Sequence, residues 1–247
     1  DLEIPYLNNI DTTLSSLQIL GTILNEKNFK DLYTLIEIDQ KLKKVFSKKL
    51  LKIWREIKLA HSEKKWLKKF EENFDFFSFE IKKNASKKLL SLYKKNDEIE
   101  SSVQIKIKQC FKYAKKNNWL QDENISWVNE RLTLPIKVSY KNRIDGIIHS
   151  HSASSKTAFI EPIELVELNN LKTQNEFDII KEKKKILSDL TSYFHPYKDL
   201  IDTLYQFILK YDRHLSIAKY ALKFNSIKPV FKKEFKMKIK GALNPIL

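Results

Sequence analysis

The sequence predicts a mainly α-helical protein of the α+β class: a helical bundle with a long antiparallel helical hairpin and a small antiparallel β-meander. Three observations support this fold class. Apolar residues recur at helical spacing along most of the 247 residues. Only 3 glycines occur, which suits long helices. One stretch, residues 132–162, changes to the two-residue period that is typical of strands.

The first 131 residues resemble a bundle of helices with short connections. Asp11 can cap the first helix, and Asn28 or Asp31 can begin the second. Further helices are predicted at residues 49–59, 86–95 and 98–117. The apolar positions expected to face inward in the first two helices are Leu14, Leu17, Leu20, Ile23, Leu24, Leu32, Leu35, Ile36, Leu42, Val45 and Phe46.

Residues 66–81 are unusually rich in aromatic side chains. Aromatic residues at this density can stack nucleobases, but at helical spacing they more often belong to a core, and a core is predicted here.

A first strand is predicted at residues 132–140, where every even position is apolar and every odd position is polar or proline. One face should therefore pack on a core, and the other, which carries Lys137, should face solvent or a ligand. Pro135 has no N–H to donate, so the strand should lie at a sheet edge or have that position unpaired.

Asp145-Gly146 predicts a hairpin connection from the first strand to a second strand at residues 146–151. A loop of small residues then leads into a third strand at 157–160. Glu161-Pro162 ends this strand. Proline disfavours helix at the residue before it, so the next helix is predicted to start at about residue 163.

Residues 164–194 give the longest helical pattern, which His195-Pro196 should break. The following segment, from Tyr197 to Leu222, has apolar residues at alternating steps of four and three. This a/d seam predicts that the two helices pack as a long antiparallel hairpin. A further strand is predicted at residues 231–239.

Lys plus Arg number 46 and Asp plus Glu number 31, which gives a formal net charge of +15. Such a surplus favours a polyanionic partner, and nucleic acid before a membrane surface. Lysine is abundant throughout, so most lysine runs are interpreted as solvated helix faces.

Several chemistries are absent from the sequence. The three glycines, at 21, 146 and 241, cannot build a phosphate-binding G-x-x-x-x-G-K-[ST] loop, so no ATP hydrolysis and no enzymatic activity are predicted for this chain. A single cysteine, Cys110, suits a reducing cytoplasm. His149 and His151 lie two residues apart without a third ligand nearby, so no metal site is predicted. The chain begins at Asp1 without Met and is expected to be a piece of a longer protein.

Residues 120–170 carry a series of short motifs. They are Leu120-Gln121-Asp122, Asn129-Glu130-Arg131, Pro135-Ile136-Lys137, His149, Ser152-Ala153-Ser154, Thr157-Ala158-Phe159-Ile160-Glu161-Pro162 and Glu167-Leu168-Asn169-Asn170. In this order and spacing they resemble the second bacterial branch of the MutS family of DNA mismatch repair ATPases, MutS-two below. The tail, residues 241–247, resembles the segment that opens the ATPase domain of these proteins. The resemblance is strong from residue 120 to 170 and weaker elsewhere.

The resemblance implies the core, lever and clamp of such a protein without its ATPase domain. It implies a core/lever domain at 1–131, a clamp at 132–196, a returning lever helix at 197–228, and at 229–247 a strand and the start of the ATPase domain. In the family the lever and clamp encircle duplex nucleic acid. The ATPase domain dimerises, so this chain is expected to be a monomer or weak dimer and the whole protein a homodimer.

The same resemblance implies no cofactor in this chain, and ATP and Mg²⁺ for the whole protein. MutS-two members lack the mismatch-reading domain and are associated with branched DNA and recombination control, and some with collided ribosomes. This chain departs from the motifs at Glu130 and Ser155, where the family has glycine, and at Ser150, where it has aspartate.

The polar side of the β-unit is the predicted nucleic-acid-binding surface, because cationic and small hydroxyl side chains suit contacts to phosphate. The alternative for the serines is that they only hydrogen-bond the loops. The predicted site residues are Lys137, Lys141, Asn142, Arg143, His149, His151, Ser152, Ser154 and Lys156.

Together these observations predict a chain that grips duplex or branched DNA by backbone contacts. One alternative is a helical scaffold for protein assembly, with the charge reflecting composition. Another, within the same family, is binding to structured RNA or the ribosome, since no motif reads bases or 2′-hydroxyl groups.

Overall fold

The computed structural model describes residues 7–45, 63–230, 233 and 237–241. Helices dominate these residues, and four short strands form an antiparallel sheet, so the predicted fold class is confirmed. The helices are α1 Asp11–Gln18, α2 Glu26–Val45, α3 Glu63–Asn73, α4 Lys87–Lys116, α5 Ile163–Phe194 and α6 Lys198–Lys223. The strands are β1 Ser126–Val128, β2 Arg131–Lys137, β3 Gly146–His151 and β4 Thr157–Pro162.

Two predicted elements fall largely outside the described residues: the helix at 49–59 and most of the strand at 231–239. Of the predicted strand, residues 233 and 237–239 are described, and they are not in a strand. The helices predicted at 86–95 and 98–117 form one continuous helix, α4, and Ser86 caps it by accepting a hydrogen bond from the Leu89 N–H.

The chain forms two compact units, Asp1–Phe70 with Thr191–Leu247, and Glu71–Leu190. The first unit has an aromatic core. The rings of Phe29 and Phe70 meet edge to face with centroids 6.3 Å apart, and those of Trp66 and Phe194 lie 5.8 Å apart. All four side chains are fully buried. In the aromatic stretch at residues 66–81, Trp66, Phe70 and Phe74 confirm the predicted core, whereas Phe76 and Phe77 are exposed and do not belong to it. Leu20 is exposed, because α1 ends two residues before it.

The second unit contains the long antiparallel hairpin, formed by α4 and α5. The Ser86 hydroxyl donates to Oε1 of Glu182 at 2.9 Å, and the Asn175 side chain donates to the Leu92 carbonyl at 3.0 Å. Leu165 packs with the last turns of α4. Contacts that advance along α4 therefore retreat along α5, which makes the two helices antiparallel.

The helix that pairs with α5 is thus α4 and not the segment after His195-Pro196, which corrects the prediction. A 3-10 turn, His195–Tyr197, joins α5 to α6 and keeps the chain helical, since Pro196 lies in its first turn, where proline needs no N–H partner. α6 packs on α1 and α2, and only the first part of its predicted seam is buried, since Ala218 and Leu222 are exposed. Its buried residues are Ile201, Leu204, Tyr205 and Ile208.

The strand order is β1-β2-β4-β3, so the predicted meander is corrected too. β4 lies between β2 and β3, and Asp145-Gly146 is not a hairpin turn between neighbouring strands. β4 is buried along nearly its whole length whereas β3 is mostly exposed. The more apolar strand therefore occupies the centre, and the more polar one forms an edge.

Pro135 fits the second predicted alternative only in part, because it is in register with Phe159 of β4 and only its nitrogen lacks a partner strand. β2 is not an edge strand, since it pairs with both β1 and β4. The Pro135 carbonyl accepts from the Gln121 N–H at 2.8 Å, so the Pro135 nitrogen, which points to the same side, lies away from β4. β1 pairs with β2 only as far as Thr133, so β1 does not require an N–H donor from Pro135. Residues 132–136 are buried on both faces, so solvent exposure begins only at Lys137.

Two of the departures from the family motifs lie at left-handed backbone positions. Asn129 and Glu130 have φ of 50° and 62° in the two-residue turn between β1 and β2, which is the type I′ pattern that favours glycine second. Ser155, in the turn between β3 and β4, has φ of 54°. Glycine adopts these angles without a Cβ clash, which explains why the motif has glycine there.

Candidate nucleic-acid interface

The predicted site residues gather largely at one end of the sheet in the second unit, where β2 ends and β4 begins. Lys137 is the register partner of Thr157, and the Val138 N–H donates to the Lys156 carbonyl at 3.0 Å. The ammonium group of Lys137 donates to the carbonyl of Asn118, just beyond α4, at 3.1 Å. We call this region, Lys137–Arg143 with Ser152–Lys156, the basic end of the sheet.

The chain leaves β2 in a 3-10 helix, Val138–Arg143, where the sequence predicts strand as far as Tyr140. Lys141 is half-buried in this helix, and Asn142 and Arg143 are exposed. A 3-10 turn separates successive side chains by about 120°, so these polar groups point in different directions instead of sharing one strand face.

The turn between β3 and β4 is organised by Ser152. Its hydroxyl accepts from the Thr157 N–H at 3.1 Å, and its carbonyl accepts from the Ser155 N–H at 2.8 Å. The Ser152 hydroxyl is therefore used to shape the turn, as the structural alternative for the serines predicts. Ser154 and Lys156 are exposed on the outside of this turn.

The two histidines have different surroundings. His151 is exposed at the end of β3. His149 occupies an irregularity in the pairing of β3 with β4, and its Nε2 lies 2.7 Å from Oε2 of Glu161. The Glu161 side chain is 2% exposed and also contacts Nη1 of Arg131 at 3.4 Å and Nδ2 of Asn169 at 2.6 Å. His149 thus belongs to a buried polar network rather than to the exposed basic end.

Further lysines join the basic end from α4, and these were not among the predicted site residues. Residues 106–116 contain five lysines and no Asp or Glu. Lys112, Lys115 and Lys116 are exposed on the last turns of α4, next to the Asn118 carbonyl that Lys137 contacts. Lysine also suits a helix C-terminus because of the helix dipole. The lysine-rich, acid-free run at residues 106–116 was the sequence signal that could have identified these lysines.

Carboxylates also lie near these cations, since Asp145 and Glu164 line a cavity together with Arg143. Lys115 lies 3.5 Å from Oε1 of Glu123, but both side chains are largely exposed, and a pair of this kind contributes little. The basic end therefore combines exposed cations with hydroxyl and amide groups, an arrangement that can contact phosphates along a nucleic-acid backbone without reading its sequence.

A cavity of about 400 Å³ lies between α4 and the start of α5. Cys110 lines it together with Lys106, Arg143, Asp145 and Glu164. Burial raises the pKa of the Cys110 thiol, and the Glu164 carboxylate raises this pKa further. The thiol is therefore a weak nucleophile at neutral pH.

Within residues 7–45 and 63–241, so far as they are described, no group of three or more His, Cys, Asp or Glu side chains is arranged to hold a metal ion. In the same residues, no helix has both the length and the apolar content needed to cross a bilayer.

The chain is similar to curated bacterial proteins named endonuclease MutS2. It is 29% identical to the Staphylococcus aureus protein over 170 residues, which are 69% of this chain and 24% of the relative. It is 31% identical to the Halothermothrix orenii protein over 172 residues, 68% of this chain and 21% of the relative. The chain thus spans about a quarter or less of these relatives. No family model matches it.

Proposed function

Because this chain belongs to the MutS-two branch of the MutS family, we propose that its second unit grips duplex or branched DNA through backbone contacts. The single observation that carries the proposal is the basic end of the sheet. There the end of β2 supplies the half-buried Lys137, and the turn before β4 and the last turns of α4 supply exposed lysines.

The contacts of the basic end are electrostatic and independent of base sequence. Lys137, Lys141, Arg143 and Lys156 supply positive charge, with Lys112, Lys115 and Lys116 beside them. Asn142, His151 and Ser154 add hydrogen-bonding groups. Each neutralised phosphate releases counterions, so the affinity should fall with salt at a log–log slope of about −0.9 per contact.

Within the whole protein, the chain supports DNA repair or recombination control in the cytoplasm. The ATPase activity, with ATP and Mg²⁺, and homodimer formation belong to the ATPase domain of the whole protein. This chain binds and does not catalyse. Structured RNA or the ribosome is the second candidate target, since the basic end offers phosphate contacts that an RNA backbone also satisfies. A helical scaffold for protein assembly is the remaining candidate.

The test is a fluorescence-anisotropy titration of the chain against duplex DNA, a four-way junction and a hairpin RNA at two salt concentrations. The site variant carries Lys137→Ala, Lys141→Ala, Arg143→Ala and Lys156→Ala. The matched control removes four exposed lysines from the helical hairpin: Lys87→Ala, Lys94→Ala, Lys95→Ala and Lys184→Ala. Both variants lose the same charge, and thermal unfolding checks that both stay folded.

Salt-sensitive binding that the site variant loses and the control variant retains would support the proposal. The salt slope of the site variant should then be smaller by about 3 to 4 than that of the unmodified chain. Equal losses in the two variants would assign binding to overall charge and reject the basic end. Absence of binding to every probe at low salt would favour the scaffold.

A further inference from the structure

A second cavity, of about 520 Å³, lies in the second unit between the β1–β2 hairpin and α5, and none of its lining residues belongs to the basic end. Trp127 of β1 forms one wall, and this residue is 60% exposed. The ammonium group of Lys172 of α5 lies over the Trp127 ring, with Nζ 6.0 Å from the ring centroid, so a base that stacks on this face takes the place of the ammonium group. An accessible indole face and a cation on a long side chain therefore share the entrance.

The floor of this cavity is polar and held in place. The guanidinium group of Arg131 is fixed by Oε1 of Glu161 at 3.4 Å and by the Asn170 side-chain oxygen at 3.0 Å. Guanidinium carries five N–H donors, so donors remain for a ligand. Asn169 also lines the cavity, and its amide is anchored to Glu161 at 2.6 Å. Groups that are already oriented lose little freedom when a ligand binds.

The lining defines the chemistry of a fitting ligand. Glu130 and Glu176 balance the charges of Arg131 and Lys172, so the cavity as a whole does not select a polyanion. One aromatic face surrounded by amide and guanidinium groups suits a flat heterocycle with hydrogen-bonding edges. A single cation at the rim suits one phosphate next to that heterocycle. A nucleotide with an unpaired base has both features, and the volume is in the range of small-ligand sites.

We propose that this cavity binds one unpaired nucleotide of a branched or interrupted duplex, with its base stacked on Trp127 and its phosphate near Lys172. This inference rests on the proposed function, because the basic end would supply most of the affinity for the duplex beside it. Stacking on an aromatic side chain accepts any base, so the cavity would favour a branch point over plain duplex without reading sequence.

The test compares three DNA probes with identical flanking duplexes: one fully paired, one with a single bulged adenine, and one with a bulged abasic residue. The two bulged probes share backbone geometry and charge and differ only in the base. Anisotropy measures the affinities of the unmodified chain and of Trp127→Ala, Trp127→Phe and Phe77→Ala. Phe77 is a fully exposed aromatic residue in a loop of the same unit that does not line the cavity, so Phe77→Ala is the matched control.

We expect the unmodified chain to bind the bulged-adenine probe roughly tenfold more tightly than the abasic probe, since a stacked base contributes at this level. Trp127→Ala should abolish the difference, Trp127→Phe should keep part of it, and Phe77→Ala should leave it unchanged. Replacing the bulged adenine by 2-aminopurine should show fluorescence quenching that Trp127→Ala relieves.

Equal binding of the base-containing and abasic probes by the unmodified chain would overturn the inference and leave the proposed function intact, because the paired probe would still bind. Equal loss of preference in Trp127→Ala and Phe77→Ala would overturn it as well. Absence of binding to all three probes would instead reject the proposed function, and this inference with it.

Discussion

Nε2 of His149 lies 2.7 Å from Oε2 of Glu161, whose side chain is only 2% exposed. The same carboxylate also contacts Arg131 of β2 and Asn169 of α5, so one buried acid of β4 joins β2, β3 and the helix that follows the sheet. This network holds together the region that carries the motifs of the MutS-two branch. It also gives Glu161, His149 and Asn169 a structural role that their spacing in the sequence did not reveal.

Glu161→Gln should destabilise the second unit by about 2 to 3 kcal/mol, because the charge-assisted hydrogen bonds of Arg131 and His149 lose their acceptor charge. Urea unfolding followed by circular dichroism would measure the change. Glu123→Gln is the control, since its pair with Lys115 is exposed and should contribute under about 0.5 kcal/mol. Similar losses in the two variants would contradict a special role for Glu161.

Glu130→Gly and Ser155→Gly should each stabilise the chain by about 1 kcal/mol, because both residues have φ near +60°, where a Cβ is strained. The thermal midpoint of unfolding would report the gain. Ser154→Gly, next to Ser155 but without positive φ, should instead be neutral or destabilising. A loss of stability in both Glu130→Gly and Ser155→Gly would refute the explanation offered for the family glycines.

Gly146→Ala should destabilise the sheet by about 1 to 3 kcal/mol, because the added Cβ would overlap the Glu161 carbonyl oxygen and lie 2.9 Å from Cγ2 of Ile160. Chemical denaturation would measure this. Gly21→Ala is the comparison variant. Its added Cβ meets open space, so any destabilisation would come from the backbone strain at a φ of 86° and not from a steric overlap. A Gly146→Ala variant as stable as the unmodified chain would contradict the close approach of β3 to β4 at this residue.

The Cys110 thiol should react slowly with iodoacetamide, because burial, and then the Glu164 carboxylate, raise its pKa. At a given pH below the raised pKa, less thiolate is present than for an exposed cysteine, so the pH–rate profile should rise at higher pH in native than in urea-unfolded protein. Cys110 is the single cysteine, so the rate has no background from other thiols. Glu164→Gln should move the profile to lower pH, and identical native and unfolded profiles would contradict the prediction.

The elements were predictable because their signals are local. Helical periodicity predicted α2 and α5 within a few residues, but it divided α4 into two helices. The two-residue period predicted β2, and the turn signals after it predicted β3 and β4, within a few residues of their observed bounds. β1 was not predicted, because a strand of three residues is too short to show a two-residue period. The lysines at the end of α4 could have been identified from their acid-free run, but their closeness to Lys137 depends on a contact with Asn118.

The sequence by itself therefore determined the helical class, the strand segments and the membership of the MutS-two branch, since periodicity and motif spacing are properties of consecutive residues. Only the tertiary structure decided that α4 pairs with α5, that β4 lies between β2 and β3, and that His149 binds Glu161. For each helix or strand of this chain, several other elements present similar apolar faces or strand edges with which it could pack or pair. The choice among them depends on which arrangement buries the most apolar surface and satisfies the buried polar groups, and that is a property of the whole unit.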